Sequence, residues 1–143
     1  MLERLFSMAG MVVLPCWVLI AAVPKWRWSQ RLATFAAPLL IAGLYVWLLV
    51  SHPTPKGAGF NSLAQVMVLF SSPYAVLAGW VHYLAFDLFT GAWESREAVR
   101  LGISRWIVLP CLVLTFLFGP VGLALFLLVK VAMRRSVGAE VTV

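Results

Sequence analysis

The chain has 143 residues, of which 63% are hydrophobic and 11% charged. A soluble domain is about 45–50% apolar and about 25% charged, so this composition excludes an ordinary water-soluble globule and, more firmly, a disordered chain. The net charge is +6, but the basic residues sit in short segments beside apolar runs, as membrane-flanking charges do, and no basic stripe with interleaved aromatics offers itself to nucleic acid.

About 20 apolar residues cross a bilayer as a helix. The first run, residues 5–23, ends at Pro24. It is read as a helix rather than a cleaved leader, because Glu3 offsets Arg4 and no small-x-small cleavage site follows. The second, residues 32–50, stops at Ser51-His52-Pro53. The loop that follows carries prolines and glycines, and Asn61 or Ser62 is placed to cap the next helix. The third span, residues 63–91, is expected to be one helix kinked at Ser71-Ser72-Pro73, in preference to a short helix followed by a separate span. The polar stretch from Trp93 to Arg105 reads as a partial interfacial helix ended by Gly102. The fourth span, residues 106–131, carries a second kink at Gly119-Pro120, and the tail beyond Arg135 is expected to fray. The expected fold is therefore all-α: a bundle of four transmembrane helices, the third and fourth kinked, forming a single membrane domain over residues 1–143.

Four spans would place both termini on one side. Arg4, Lys56, Lys130, Arg134 and Arg135 would then face Lys25, Arg27, Arg31, Arg96, Arg100 and Arg105 across the membrane. Five against six leaves the orientation open. Trp26, Trp28, Trp93 and Trp106 sit at expected span ends, as an aromatic belt does. The segment from Val12 to Leu19 echoes that from Ile107 to Leu114, each with Leu-Pro-Cys inside, which raises a possible inverted repeat. Cys16 and Cys111 lie in these apolar runs and read as buried thiols, not as a disulfide framework or a zinc site.

With so little chain outside the membrane, chemistry is sought among polar groups within it. Asp87 is the strongest candidate, since a carboxylate within a span costs about 2.5–3.5 kcal/mol on insertion scales. At 100° per residue, Trp80, Tyr83 and Asp87 fall within about 60° of one another, so Tyr83 can reach Asp87. His82 lies about 140° from Asp87 on the same helix. The two are expected to line two sides of a cavity at a helix crossing, with Gly79 permitting close approach. The structural alternatives are an Asp87 paired with Arg96 or Arg100, and a His82 satisfied by a carbonyl. Asn61 and Gln65 either cap a helix or line the mouth of a site. Glu94 is a candidate second carboxylate, while Glu97 and Arg100 suit an ion pair at i,i+3. His52, His82, Asp87 and Glu94 would make a nitrogen/oxygen set for non-haem iron, but no two stand at an i,i+3 or i,i+4 spacing. No phosphate-binding Gly-rich loop and no nucleophile elbow is present.

The run GWVHYLAFDLFTG from Gly79 to Gly91, with GISRWIVLPCLVLTFLFGPVGL from Gly102 to Leu123 and GFNSLAQV from Gly59 to Val66, resembles the abscisic-acid-deficient-four-like family. The likeness extends from about Pro24 to Lys130. Plant members of that family are linked to neoxanthin synthesis, in which an epoxide of violaxanthin opens and isomerises to an allenic alcohol; bacterial relatives exist without that pathway. The chain lacks a long Ser/Arg-rich leader, so a multi-pass protein of the bacterial inner membrane is expected rather than a thylakoid protein.

The resemblance implies a carotenoid or related isoprenoid substrate, which needs an apolar groove lined by aromatics and a few polar groups. The expected activity is acid/base isomerisation without a cofactor, with His82, Asp87 and Tyr83 as catalytic residues and Asn61, Gln65, Trp80, Phe86 and Glu94 against the substrate. Either Asp87 is the acid and His82 the base, or the reverse. The alternatives are oxidative cleavage of a polyene to retinal-like products with non-haem iron, and a carotenoid- or lipid-binding module without turnover. Expected partners are the lipid-soluble substrate, membrane lipids and further copies of the chain, with no nucleic acid.

Overall fold

The computed structural model describes the backbone of residues 1–140 and the side chains of residues 1–133. Among these residues seven α-helices follow in order: α1 (Leu2–Ala22), α2 (Arg27–Arg31), α3 (Ala37–Ser51), α4 (Leu63–Leu69), α5 (Pro73–Leu101), α6 (Arg105–Phe118) and α7 (Pro120–Glu140). No strand occurs among the described residues. The expected frayed tail and the charges of Arg134 and Arg135 fall on side chains outside the described residues.

α2 and α3 are halves of one 25-residue span, Arg27–Ser51, joined by a π-helical turn over Leu32–Ala36. Pro38 sits just beyond that turn and has no amide hydrogen for the carbonyl four residues before it, so the ladder loosens there. Among the described residues three helices are long and apolar enough to cross a membrane: Leu2–Ala22, Arg27–Ser51 and Pro73–Leu101.

α5 is the axis of the fold. α1 runs parallel to it: Phe6 stacks on Trp80, Trp17 lies on Gly91, and Ser95 Oγ donates to Ile20 O at 2.9 Å. The α2–α3 span runs antiparallel, with His52 stacked on Tyr74, Tyr45 against His82, and Arg96 donating to Thr34. Val13, Ile20, Val81, Leu88, Ala92 and Cys111 fill the core between these helices.

The third and fourth expected spans both differ from the reading as kinked helices. The first difference lies at residues 70–72, where the chain leaves the helix. Ser72 is extended (φ −84°, ψ 124°), as a residue before proline prefers, and Pro73 opens α5 at its first turn. Phe70 then lies against Gly79, taking the close approach that this glycine allows. α5 does not stop near Thr90 but runs on to Leu101, ended by Gly102 in the left-handed region (φ 67°). Three polar residues of this last stretch face protein: Glu94 and Ser95 are buried, and Arg96 reaches Gln30 and Thr34. Trp93, expected at a span end, packs instead against Phe126.

The second difference is larger. α6 descends antiparallel to α5, its Thr115 reaching Glu94 and its Phe116 carbonyl reaching Tyr83. At Gly119 the chain reverses. α7 climbs back beside α5, so that Phe126 meets Trp93 and Lys130 Nζ bridges Glu97 at 2.7 Å. Residues 106–131 thus form a hairpin that enters and leaves on the side where α5 ends. Gly119 adopts φ 35°, ψ −89°, a conformation that disfavours any residue with a Cβ. Gly122 packs so tightly on α6 that a Cβ there would stand 2.0 Å from the Thr115 amide nitrogen. The sequence Gly119-Pro120-Val121-Gly122 therefore makes a reversal, because both glycines remove the atoms that would hold the two helices apart. α1 and α6 are antiparallel, and each has a proline followed by a cysteine whose Sγ contacts the carbonyl four residues earlier at 3.5 Å.

Candidate functional site

Tyr83, Asp87, Gly91 and Glu94 succeed one another on the face of α5 that meets α1 and the hairpin. Asp87 is the fifteenth residue of the 29 in α5, close to its midpoint. Its carboxyl group lies against the hairpin tip: a Cβ on Gly119 would stand 2.8 Å from Oδ1. The Tyr83 side chain neighbours that carboxyl group, and its hydroxyl donates to Phe116 O at 3.1 Å. Asp87 Oδ2 is enclosed and has no hydrogen-bond partner. Neither arginine weighed as its partner reaches it: Arg96 turns to Gln30 and Thr34, and Arg100 pairs with Glu97 at 2.7 Å.

Glu94, two turns further on, is fully buried. Thr115 Oγ1 sits 2.9 Å and 3.0 Å from its two carboxylate oxygens and donates its one proton to them. Between Asp87 and Glu94 in the chain, Gly91 takes the Trp17 indole, whose ring carbons would stand 2.4 Å from a Cβ at that position. Trp17 meets Phe116 edge-on. Short of the hairpin tip, Phe6, Trp80 and Tyr83 stack in a row with centroid separations of 5.3 and 5.5 Å. Phe6 is 44% and Trp80 38% exposed, so this aromatic row faces the surroundings of the bundle. α6 is 14 residues, about 21 Å long, and α5 is 29 residues, about 43 Å, so the hairpin covers roughly the upper half of α5. Below its tip the Phe6–Trp80–Tyr83 row lies on the α1–α5 surface, with Tyr83 next to Asp87.

His82 does not join this cluster. It is exposed on another face of α5, stacked on Phe86 at 4.6 Å and tilted against Tyr45 at 5.6 Å. No carbonyl is bonded to it among the described hydrogen bonds. The separation of about 140° along the helix leaves His82 and Asp87 on different faces of α5, with His82 against Tyr45 and Phe86 and Asp87 against the hairpin tip. Phe86 is 62% exposed beside His82. Asn61 and Gln65 act in local capping: Ser62 Oγ accepts from Gln65 N, and Gln65 Oε1 accepts from Asn61 N. His52 stacks between Trp47 and Tyr74 at the end of α3. Among the described residues no three His, Cys, Asp or Glu side chains converge as a metal-binding group, so the set weighed for iron does not fit that role.

Thr115, Gly119 and Trp17 were not legible as site residues. The one available signal was Thr115, a hydroxyl within the apolar run from Trp106 to Phe118.

Residues 4–126 match the family described as ABA DEFICIENT 4-like. The match spans most of the chain, and the protein belongs to that family; this chain is helical, with apolar spans that suit a membrane. Neither a curated protein nor a solved structure matches the chain.

Proposed function

We propose that this protein is an integral-membrane enzyme acting on a carotenoid or related polyene, and that it isomerises its substrate by proton transfer at Asp87. Membership of the ABA DEFICIENT 4-like family supports the carotenoid class, through the link of its plant members to neoxanthin synthesis. The single observation that carries the reading is the Asp87 carboxyl group at mid-span. It stands beside a lipid-facing aromatic row and keeps one enclosed oxygen without a partner. A ligand hydroxyl, an epoxide oxygen bearing a shared proton, or a proton itself would satisfy that oxygen.

The reaction this suits is opening of an epoxide on a polyene end group. The Asp87 carboxylic acid gives its proton to the epoxide oxygen as a carbon–oxygen bond breaks. The resulting carboxylate takes a proton from the neighbouring chain carbon, and the electrons of that bond form the new double bond. Atoms balance, the acid is regenerated, and no oxidant is required. Tyr83 orients the carboxyl group, while Trp80 and Phe6 present ring faces along which a polyene lies. Glu94 is assigned a positioning role, since Thr115 and the surrounding helices enclose it. The pairing of Asp87 with His82 loses support, because the two occupy different faces.

The test is pigment analysis of hosts accumulating epoxidised and non-epoxidised carotenoids, with and without this protein. A new isomer peak of unchanged mass in the epoxidised host, absent with Asp87→Asn, supports the proposal. A product of lower mass indicates oxidative cleavage instead. Pigment that co-purifies unchanged indicates a binding protein without turnover.

A further inference from the structure

At the opposite end of the bundle from the aromatic row, the last turns of α1 and α5 and the first turns of α6 surround a cavity of about 590 Å³. Its walls are mainly apolar, from Ile20, Ala98, Val108 and Leu112, with Ser95 among them, and neither Tyr83, Asp87 nor Glu94 lines it. Lys25, Trp26 and Arg105 stand at its rim. The ion pairs among the described residues are those of Glu97 with Arg100 and Lys130, so neither Lys25 nor Arg105 has a carboxylate partner. Arg105 lies over its neighbour Trp106, which is 75% exposed. Arg105 is also the first residue of α6, so free amide hydrogens of that helix open at the same rim.

We propose that this cavity binds an anionic membrane phospholipid, with an acyl chain in the apolar interior and the phosphate between Lys25 and Arg105. Three features select that occupant. The cavity begins at the level of the interfacial Trp26 and Trp106 and runs inward along apolar walls, as an acyl chain does. Its size falls within the range of about 300–1,000 Å³ typical of small-molecule ligand pockets, room for part of an acyl chain. Its only charges are positive and unpaired among the described residues, at the end of the bundle where basic residues collect, and anionic head groups complement them. The site is independent of the reaction proposed above, and its occupancy is read without any measurement of turnover.

The full chain, purified in mild detergent and exchanged into equal mixtures of phosphatidylglycerol and phosphatidylcholine, is examined by native mass spectrometry. The expected result is retention of phosphatidylglycerol with a preference of at least about tenfold, two interfacial cations each contributing to head-group attraction. The double variant K25S/R105S is expected to lose that preference, and K25R/R105K to keep it. Leu109→Trp, which fills the cavity from a partly exposed wall position, is expected to reduce retention of both lipids while helical content by circular dichroism stays unchanged. Equal retention of the two head groups overturns the proposal. So does a preference that survives K25S/R105S but falls with Lys56→Ser at the other end. Displacement of lipid by a second copy of the chain, seen as a dimer mass, assigns the cavity to self-association and overturns it as well.

Discussion

Asp87 is conspicuous because a carboxyl group within a span has a cost that must be met by a partner or a purpose. Tyr83 and the Gly119 turn surround it without satisfying Oδ2. If Asp87 moves the proton, Asp87→Asn lowers product formation at least about 100-fold, the usual worth of a positioned acid/base group. His82→Ala, altering a lipid-facing ring stacked on Phe86, leaves product within about twofold at equal protein level; quantified chromatograms of the pigment-producing host distinguish the two. Glu94 poses a different question. Removing the Thr115 hydroxyl with Thr115→Val deprives a buried carboxyl group of its only hydrogen-bond donor among the described residues, and stability is expected to fall by about 1–3 kcal/mol. A lowered Tm of the detergent-solubilised protein reads this directly. The chemical character of Asp87 and its proximity to Tyr83 were legible, because helical spacing alone puts them on one face. The partnership of Glu94 was not, since Thr115 is 21 residues away and comes near only when α6 folds down.

Interruptions in the apolar runs were visible at Ser71-Ser72-Pro73 and at Gly119-Pro120, but their angles were not. A proline reports that a hydrogen bond is missing; it does not report where the following helix finds its packing partner. At the first interruption the seven-residue α4 and the 29-residue α5 separate fully. At the second, the packing of Gly122 on Thr115 turns an expected span into a hairpin. Gly122→Ala must push α7 away from the backbone of α6, and overpacking of this kind costs about 1–3 kcal/mol. Gly43→Ala places its methyl where nothing lies within 4 Å and serves as the control. In thermal melts of the two purified variants, Gly122→Ala is expected to melt several degrees lower than Gly43→Ala, with loss of turnover because Gly119 carries the contact to Asp87.

For the whole molecule, the hairpin changes the count of charges on each side. The end where α1 and α5 finish carries Lys25, Arg27, Arg31, Arg96, Arg100, Arg105 and Lys130; the other carries Arg4 and Lys56. With Arg134 and Arg135, which lie outside the described side chains, left out of both counts, seven against two replaces six against three, and the positive-inside rule predicts that the basic end faces the cytoplasm. Single cysteines at Lys25 and Lys56, in a chain with Cys16 and Cys111 replaced by alanine, test this with a membrane-impermeant thiol reagent on intact cells. Labelling is expected at position 56 and absent at position 25 until the cells are opened.

Membrane residence, helical class and the unusual carboxyl group at Asp87 follow from the residues themselves, because apolar length and the desolvation cost of a charge are local properties of a chain. The reversal at Gly119, the enclosure of Glu94 and the separation of His82 from Asp87 depend on which surfaces meet. Those contacts join residues far apart in the chain, and the tertiary structure decided them because close packing between helices is set by shape, not by hydrophobic order along the sequence.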